Sequence, residues 1–246
     1  MLKFVFVRLT WICLVMLIFS SCEQQWQRSK GEISTHFISL NGFNGLEIGQ
    51  KFNVYLRNDT ALEEGVEIRY FENLVENITL NIHDSVLSIR DENPAKWTKD
   101  LSDSIAVVIN CHQYSKLKIG GSSKWICLDT LKSGALDIEM NSVQDQHILT
   151  VTKALTGKCG NLGKLNLNGF GTIFSWTIEA GGALNAENFR NHDTYLWHYT
   201  THDARVHPER QAFLYLYNSG NVILPDTPSY QLNINTFGSG QVVIKK

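Results

Sequence analysis

The sequence predicts an all-β domain, a β-solenoid-like stack of short strands with rungs of about 19 and about 29 residues, preceded by β-hairpins. Three observations point there. An apolar-polar-apolar triplet recurs as Leu117-Lys118-Ile119, Leu136-Asp137-Ile138, Leu165-Asn166-Leu167, Leu184-Asn185-Ala186, Leu214-Tyr215-Leu216 and Leu232-Asn233-Ile234, at intervals of 19, 29, 19, 30 and 18 along the chain. Small or polar segments follow the triplets, such as Gly120-Gly121-Ser122-Ser123, Asn168-Gly169-Phe170-Gly171 and Asn218-Ser219-Gly220. A second short apolar strand usually comes next, as at Trp125-Ile126, Ile173-Phe174, Tyr195-Leu196, Val222–Leu224 and Val242–Ile244. A single rung cannot bury its inward Leu or Ile, so such a repeat is stable only when stacking puts those side chains in columns. Each buried one contributes roughly 1.5–3 kcal/mol. A β-sandwich with evenly spaced strands is the competing arrangement.

Residues 1–21 read as a lipoprotein signal peptide. Lys3 and Arg8 are the charges of the first 22 residues, and the apolar run Trp11 to Phe19 is too short to span a hydrocarbon core of about 30 Å. Phe19-Ser20-Ser21-Cys22 resembles the lipobox of bacterial lipoproteins. That resemblance implies an acylated Cys22, palmitate among its chains, and an outer-membrane lipoprotein of a Gram-negative envelope. An ordinary cleaved signal with a chance cysteine is the competing reading. Each buried acyl CH₂ contributes about 0.8 kcal/mol, so several chains anchor durably. Residues 22–33 are then the acylated cysteine and a polar tether.

The remaining chain, 34–246, divides into opening hairpins over 34–112 and repeated rungs over 113–246. In the first part Leu46 and Ile48, then Phe52, Val54 and Leu56, alternate with polar residues around Gly49-Gln50-Lys51, which predicts a hairpin with one buried face. Val66 to Tyr70 is a further strand. Ile78, Leu80 and Ile82 alternate up to His83-Asp84-Ser85, and Val86 to Ile89 returns. Glu72 to Asn77 has room for one helical turn, and Asp91 to Asp103 is a polar loop. The continuous run Ile105 to Ile109 suits a strand covered on both faces.

Gly42-Phe43-Asn44-Gly45-Leu46-Glu47-Ile48, with Phe52-Asn53-Val54-Tyr55-Leu56 and the return strand Leu87-Ser88-Ile89, resembles the start of a known family. Asn218-Ser219-Gly220-Asn221-Val222, Pro228 and Phe237-Gly238-Ser239-Gly240-Gln241-Val242 resemble its end. The family is the putative auto-transporter adhesin head GIN domain, and the resemblance covers roughly residues 38 to 246. It implies an all-β, solenoid-like domain, usually on an envelope lipoprotein, and it supplies no active site. The small-residue turn of the family is degraded at Met140-Asn141-Ser142-Val143 and Glu187-Asn188-Phe189-Arg190.

Losing the leader takes the formal net charge from −2 to −4, because it removes Lys3 and Arg8 and no acid. That mild, mixed charge does not suit a nucleic-acid partner. Cys111, Cys127 and Cys159 remain, without C-x-x-C spacing. They read as three buried small hydrophobes, one disulfide being the alternative. His192, Asp193, His198, His202, Asp203 and His207 form the densest titratable cluster; a zinc or copper site is weighed there against solvated loop histidines, and the latter is preferred. No cofactor is implied. Asp137 and Glu139, which alternation puts on one outer face, and nearby Asp145 are the carboxylates a solenoid glycosidase or lyase would need; they read as surface charges. Asp59-Thr60-Ala61, Asp84-Ser85-Val86, Asp103-Ser104-Ile105 and Asp129-Thr130-Leu131 match a short O-glycosylation sequon and are also ordinary turn pairs.

The aromatics Trp176, Tyr195, Trp197, Tyr199, Tyr215 and Tyr217 fall near one another in the rung alignment. Tyr195, Trp197 and Tyr199 share parity, so an extended strand puts all three on one face. They make either a core ladder or an exposed stacking platform for a glycan or protein ligand. The functional expectation is a non-catalytic binding or adhesion module at the envelope. A structural or sensory accessory serving a partner of the same cell is the alternative, and a carbohydrate-active enzyme a remote one.

Overall fold

A computed structural model describes residues 31–93, 105–179 and 181–245. The leader, Cys22, most of the tether and most of the polar loop expected over Asp91 to Asp103 lie outside the described residues.

In chain order the first strands are β1 (Ile33–Ser39), β2 (Gly45–Ile48), β3 (Phe52–Arg57) and β4 (Gly65–Phe71), followed by a one-turn helix α1 (Glu72–Val75). Next come β5 (Ile78–His83), β6 (Val86–Asp91), β7 (Ile105–Asn110), β8 (Lys116–Gly121) and β9 (Lys124–Cys127). Long bent strands follow: β10 (Leu131–Ser142), β11 (Gln146–Cys159), β12 (Lys164–Ile178), β13 (Ala183–His198) and β14 (Ala204–Leu216). The chain closes with β15 (Val222–Leu224), β16 (Gln231–Thr236) and β17 (Val242–Ile244).

These strands wind into a parallel β-solenoid. One side stacks β6, β2 and β8, then the carboxyl-terminal parts of β10 to β14, then β16. A second side stacks β7, β3 and β9, the amino-terminal parts of β11 to β14, then β15 and β17. A short third side joins them in the middle rungs, where Lys132, Val151, Phe170 and Arg190 lie one above the next.

The register corrects the rung length. Ile126, His147, Asn166, Asn185, Arg205, Ile223 and Val243 are successive partners, at steps of 21, 19, 19, 20, 18 and 20 along the chain. Each rung therefore takes roughly 20 residues, the short end of the range for stacked repeats. The intervals of 29 and 30 are not rungs. The partner of Leu136 is Leu155, while Leu165 lies ten positions further on, on the second side. The triplet recurs on both sides of each rung, so reading it as one column added half a turn.

The opening segment carries a second correction. The hairpin expected around Gly49-Gln50-Lys51 does not form: β2 pairs with β6 and β8, and β3 with β7 and β9. Those three residues turn a corner between two sides. Alternation fixes which side chains point inward, but it is the same for a corner as for a hairpin. The β5–β6 hairpin does form, with Asp84 and Ser85 at φ 49° and 60° as a tight two-residue turn. It runs antiparallel on the first rung of one side, while β4 and then β1 do so on the other. These antiparallel strands cover the edges that the first parallel rung would otherwise leave unpaired.

Inside, alternate residues from each side meet in columns. Leu117, Ile138, Gly157, Trp176, Leu196 and Leu214 stand in one. The Trp176 indole in this column is fully buried and stacked on Phe174 at 5.5 Å, while a Cβ on Gly157 would collide with the Ile138 backbone one rung earlier. Corners are tight enough to exclude a Cβ: one on Gly220 would collide with the His202 carbonyl oxygen, and one on Gly240 with that of Gly220. Side chains also tie rung to rung there. The Asn221 amide donates to Asp203 Oδ1 at 2.9 Å, and the Gln241 amide to Asn221 Oδ1 at 3.0 Å.

Leu216 is fully buried and Asn233 stands on the outer surface one rung on. Leu216→Ala will cost roughly 2–5 kcal/mol in chemical unfolding through lost burial and a cavity. Asn233→Ala will leave stability within about 0.5 kcal/mol of the wild type, as surface changes do. Equal losses would contradict the inward and outward assignment.

Candidate binding face

Outward parity on β13 and β14 assembles a patch of aromatic rings. Leu196 and His198 point inward and are fully buried, so Tyr195 and Trp197 stand half-buried on the outside and Tyr199 is exposed. Strands in a sheet lie about 4.7–4.9 Å apart, within the roughly 4.5–7 Å centroid separation of offset-stacked rings. Tyr195 accordingly stacks on Phe213 with centroids at 5.1 Å, and Trp197 on Tyr215 at 5.7 Å. A third column runs Tyr199, Tyr217 and Phe237, at 4.4 and 4.8 Å. Every pair is within 11° of parallel. Burial and the neighbouring Tyr199 hydroxyl hold the Tyr217 phenol above its usual pKa.

The rings form a ladder, and it lies on the surface rather than in the core. Trp176 is the exception among the aromatics read together from sequence, since its parity turns it inward. Phe213 and Phe237 were missed. The same parity carried one true rung further would have found them.

The outer columns change character along the solenoid. Below Tyr195 stand Ser175, Thr156, Asp137 and Lys116; below Trp197 stand Thr177, Lys158, Glu139 and Lys118. Above Phe213 and Tyr215 come Asn233 and Asn235. Asp137 and Glu139 thus share the outer face. Lys116 Nζ lies 3.8 and 4.0 Å from their carboxylates, and Thr156 donates to Asp137 at 3.0 Å. Asp145 accepts the Lys164 amide at a corner.

The histidine cluster is dispersed. His192 packs edge-on against Phe170, Asp193 accepts two hydrogen bonds from Arg210 at 2.8 and 2.6 Å, and Asp203 belongs to the corner ladder. His207 Nδ1 donates to the Glu187 carbonyl, and His202 Nδ1 lies 3.3 Å from Thr200 Oγ1. His198 Nε2 must carry a proton, because its partner at 2.8 Å is the His202 carbonyl oxygen; its Nδ1 is buried with no partner. Among the described residues no three of these groups converge on one point. Cys111, Cys127 and Cys159 are free thiols, the first and last buried and Cys127 partly so. Burial pushes their pKa values up to about 12, 11 and 12 respectively, which leaves them protonated and inert. Of the sequon-like pairs, Asp59-Thr60 and Asp84-Ser85 are turns, Asp129-Thr130 links β9 to β10, and Asp103-Ser104 lies outside the described residues. A shallow groove of about 550 Å³ runs along the third side, between His112, Lys132, Lys153, Val151 and Phe170.

A family model described as "Putative auto-transporter adhesin, head GIN domain" matches residues 42–228. The chain belongs to this family. The solved structure of a putative adhesin from Bacteroides fragilis is similar at TM-score 0.78 and 17% identity, covering 87% of this chain and 97% of that one. A putative adhesin from Parabacteroides distasonis follows at 0.67 and 14%, covering 87% and 98%. A putative lipid binding protein from the same species gives 0.60 and 15%, covering 87% and 97%. At such identities the likeness shows the shared fold. No curated protein matches the chain.

The head GIN end motifs are the stacked corners themselves, Gly220 under Gly240 and Asn221 under Gln241. Of the two degraded turns, Met140 to Val143 keeps a regular corner, with buried Ser142 donating to the Gly121 carbonyl. Glu187 to Arg190 holds an irregularity: β13 carries one residue more than β12 there, and Phe189 enters the core.

Trp197→Ala will cost about 1–2 kcal/mol, chiefly one ring stack and part of the burial. Trp176→Ala will cost roughly 3–5 kcal/mol as a buried large-to-small change. Equal costs in urea unfolding would place Trp197 in the core. A second expectation concerns pH. Burial holds the His198 pKa below its usual value, so its share of stability is fully present above the unfolded value of about 6.5 and is lost as pH falls toward and through the folded one. Between pH 7.5 and 5.5 the urea midpoint of the wild type will fall more than that of His198→Gln; parallel falls would refute the assignment.

Proposed function

We propose that the protein is an exported envelope lipoprotein, anchored through acyl chains on Cys22, whose head GIN domain is a non-catalytic binding or adhesion module. The ligand surface is the outer aromatic face, with Tyr195, Trp197 and Tyr199 at its centre and Phe213, Tyr215, Tyr217 and Phe237 beside them. The observation that carries this reading is the outward-facing, three-column ring ladder, half-buried in two columns and exposed in the third. Aromatic side chains bury large area at low entropic cost and are rarely gathered on a surface without a partner. Family membership supports adhesion, and the charge-apolar-small-Cys order of the leader supports the anchor. The carboxylates a hydrolase would need are engaged by Lys116 and Thr156, which supports a non-enzymatic role. An accessory role toward a partner of the same cell uses the same face and differs only in where the domain is displayed.

Three measurements test this. Cys22→Ala will abolish partitioning into the detergent phase and the lipid mass on the protein; a soluble, unacylated wild type would end the anchor. Antibody labelling of intact cells separates outward adhesion from a periplasmic role. A glycan array probed with detergent-extracted protein will give signals that Trp197→Ala removes while the fold persists. Signals unaffected by that change would move the ligand surface elsewhere.

A further inference from the structure

We propose that the ligand is an extended, neutral oligosaccharide with equatorial linkages, seated along the strand direction on the ledge where Ser175 and Thr177 give way to Tyr195 and Trp197. This rests on the reading of the aromatic face as the binding surface and says which part of the rings meets the ligand.

In a ladder of parallel rings each face is covered by the next ring, and only edges look outward. A flat ligand therefore stacks only at the end of a column. Tyr195 and Trp197 are covered from above by Phe213 and Tyr215. Their other faces turn to the preceding rung, where their register partners are Ser175 and Thr177. Those side chains are too short to cover a phenol or an indole, so the rings rise from them as a wall. All three aromatic columns begin in the same rung, so the wall is flush along β13, with rings roughly 6.5–7 Å apart. At the other end the columns stop unevenly, two at Phe213 and Tyr215 and one at Phe237. No straight wall forms there.

The chemistry of the ledge selects the ligand. A pyranose whose substituents are all equatorial presents an axial C–H face, weakly positive, that suits the negative face of an aromatic ring. Its rim of hydroxyls needs hydrogen-bond partners. The floor supplies them as the Ser175 and Thr177 hydroxyls, with Thr156 and Lys158 one rung further out. Equatorial 1,4 linkages keep such a chain straight, as the wall requires. Apolar protein anchors would instead want a dry apolar floor. The charges beyond the floor alternate in sign, with Lys158 beside Glu139 and Glu139 beside Lys118, so they select no net charge on the ligand.

The test uses cellohexaose and chitohexaose with the detergent-extracted full-length protein in a detergent without sugar. Binding is followed by tryptophan fluorescence and by calorimetry. Wild type will bind at least one of the two. Ser175→Leu/Thr177→Leu, which fills the ledge and leaves every ring in place, will weaken binding at least tenfold with a melting temperature close to wild type. Thr177→Leu alone serves if the pair does not fold. Asn235→Leu at the opposite end will bind as wild type does. Failure of wild type to bind either hexasaccharide overturns the inference; if the array then shows another ligand whose binding needs Trp197, the aromatic face stands without the sugar. Full binding by the ledge-filled variant, with loss in Trp197→Ala, overturns the ledge and keeps the face.

Discussion

The structure depends on parallel strands stacked in register, each residue directly above its counterpart one rung earlier. With strands about 4.8 Å apart, like sits on like wherever the sequence allows. Leucine and isoleucine form columns inside. At the corners Asp203, Asn221 and Gln241 form a ladder of side chain to backbone hydrogen bonds, and Gly220 sits against Gly240. On the outside the same constraint turns two aromatic strands into stacked rings. None of these features requires its own device; each is the rung register expressed on a different side.

Much of this was legible because alternation is strong. The inward positions of Leu184, Leu214 and Leu216, the tight Asp84-Ser85 hairpin and the single turn at Glu72 all follow from local pattern and turn chemistry. Strand neighbours were not legible. Gly49-Gln50-Lys51 looks the same as a hairpin turn or a corner, and the choice is made by contacts with β6 to β9, far along the chain. The rung length failed for a related reason: two sides of each rung carry the same triplet, and parity cannot say on which side a triplet lies. Tyr195, Trp197 and Tyr199 were legible as a set sharing one face. Whether that face was inside or out depended on Leu196 and His198, and a histidine is a weak mark of an interior position.

The ring ladder also separates two uses of aromatic side chains that sequence alone merges. Trp176 and Trp197 sit in consecutive rungs, and each follows an aliphatic or polar neighbour on its strand. One is buried in the core against Phe174 while the other is built onto the surface. The surface rings gain stacking energy from their neighbours, so the patch is stiff before any ligand arrives. A preorganised face loses little entropy on binding. That is the physical advantage the proposed binding face would have over one placed on a loop.

The insertion of the β2–β3 rung between the β6–β7 and β8–β9 rungs has a bearing on how the chain acquires its fold. Residues made first cannot complete their pairing until the chain has extended past Cys127, because the strands on either side of them come later. From β10 onward, each rung needs only the one just before it. Sequence-local rungs close loops of about 20 residues, and short loops form fastest. Assembly is therefore expected to nucleate in the later rungs and run back toward the amino terminus, with the threaded β2–β3 pair among the last to lock. The opening rungs would then be the slowest to order, settling onto later rungs that are already in place.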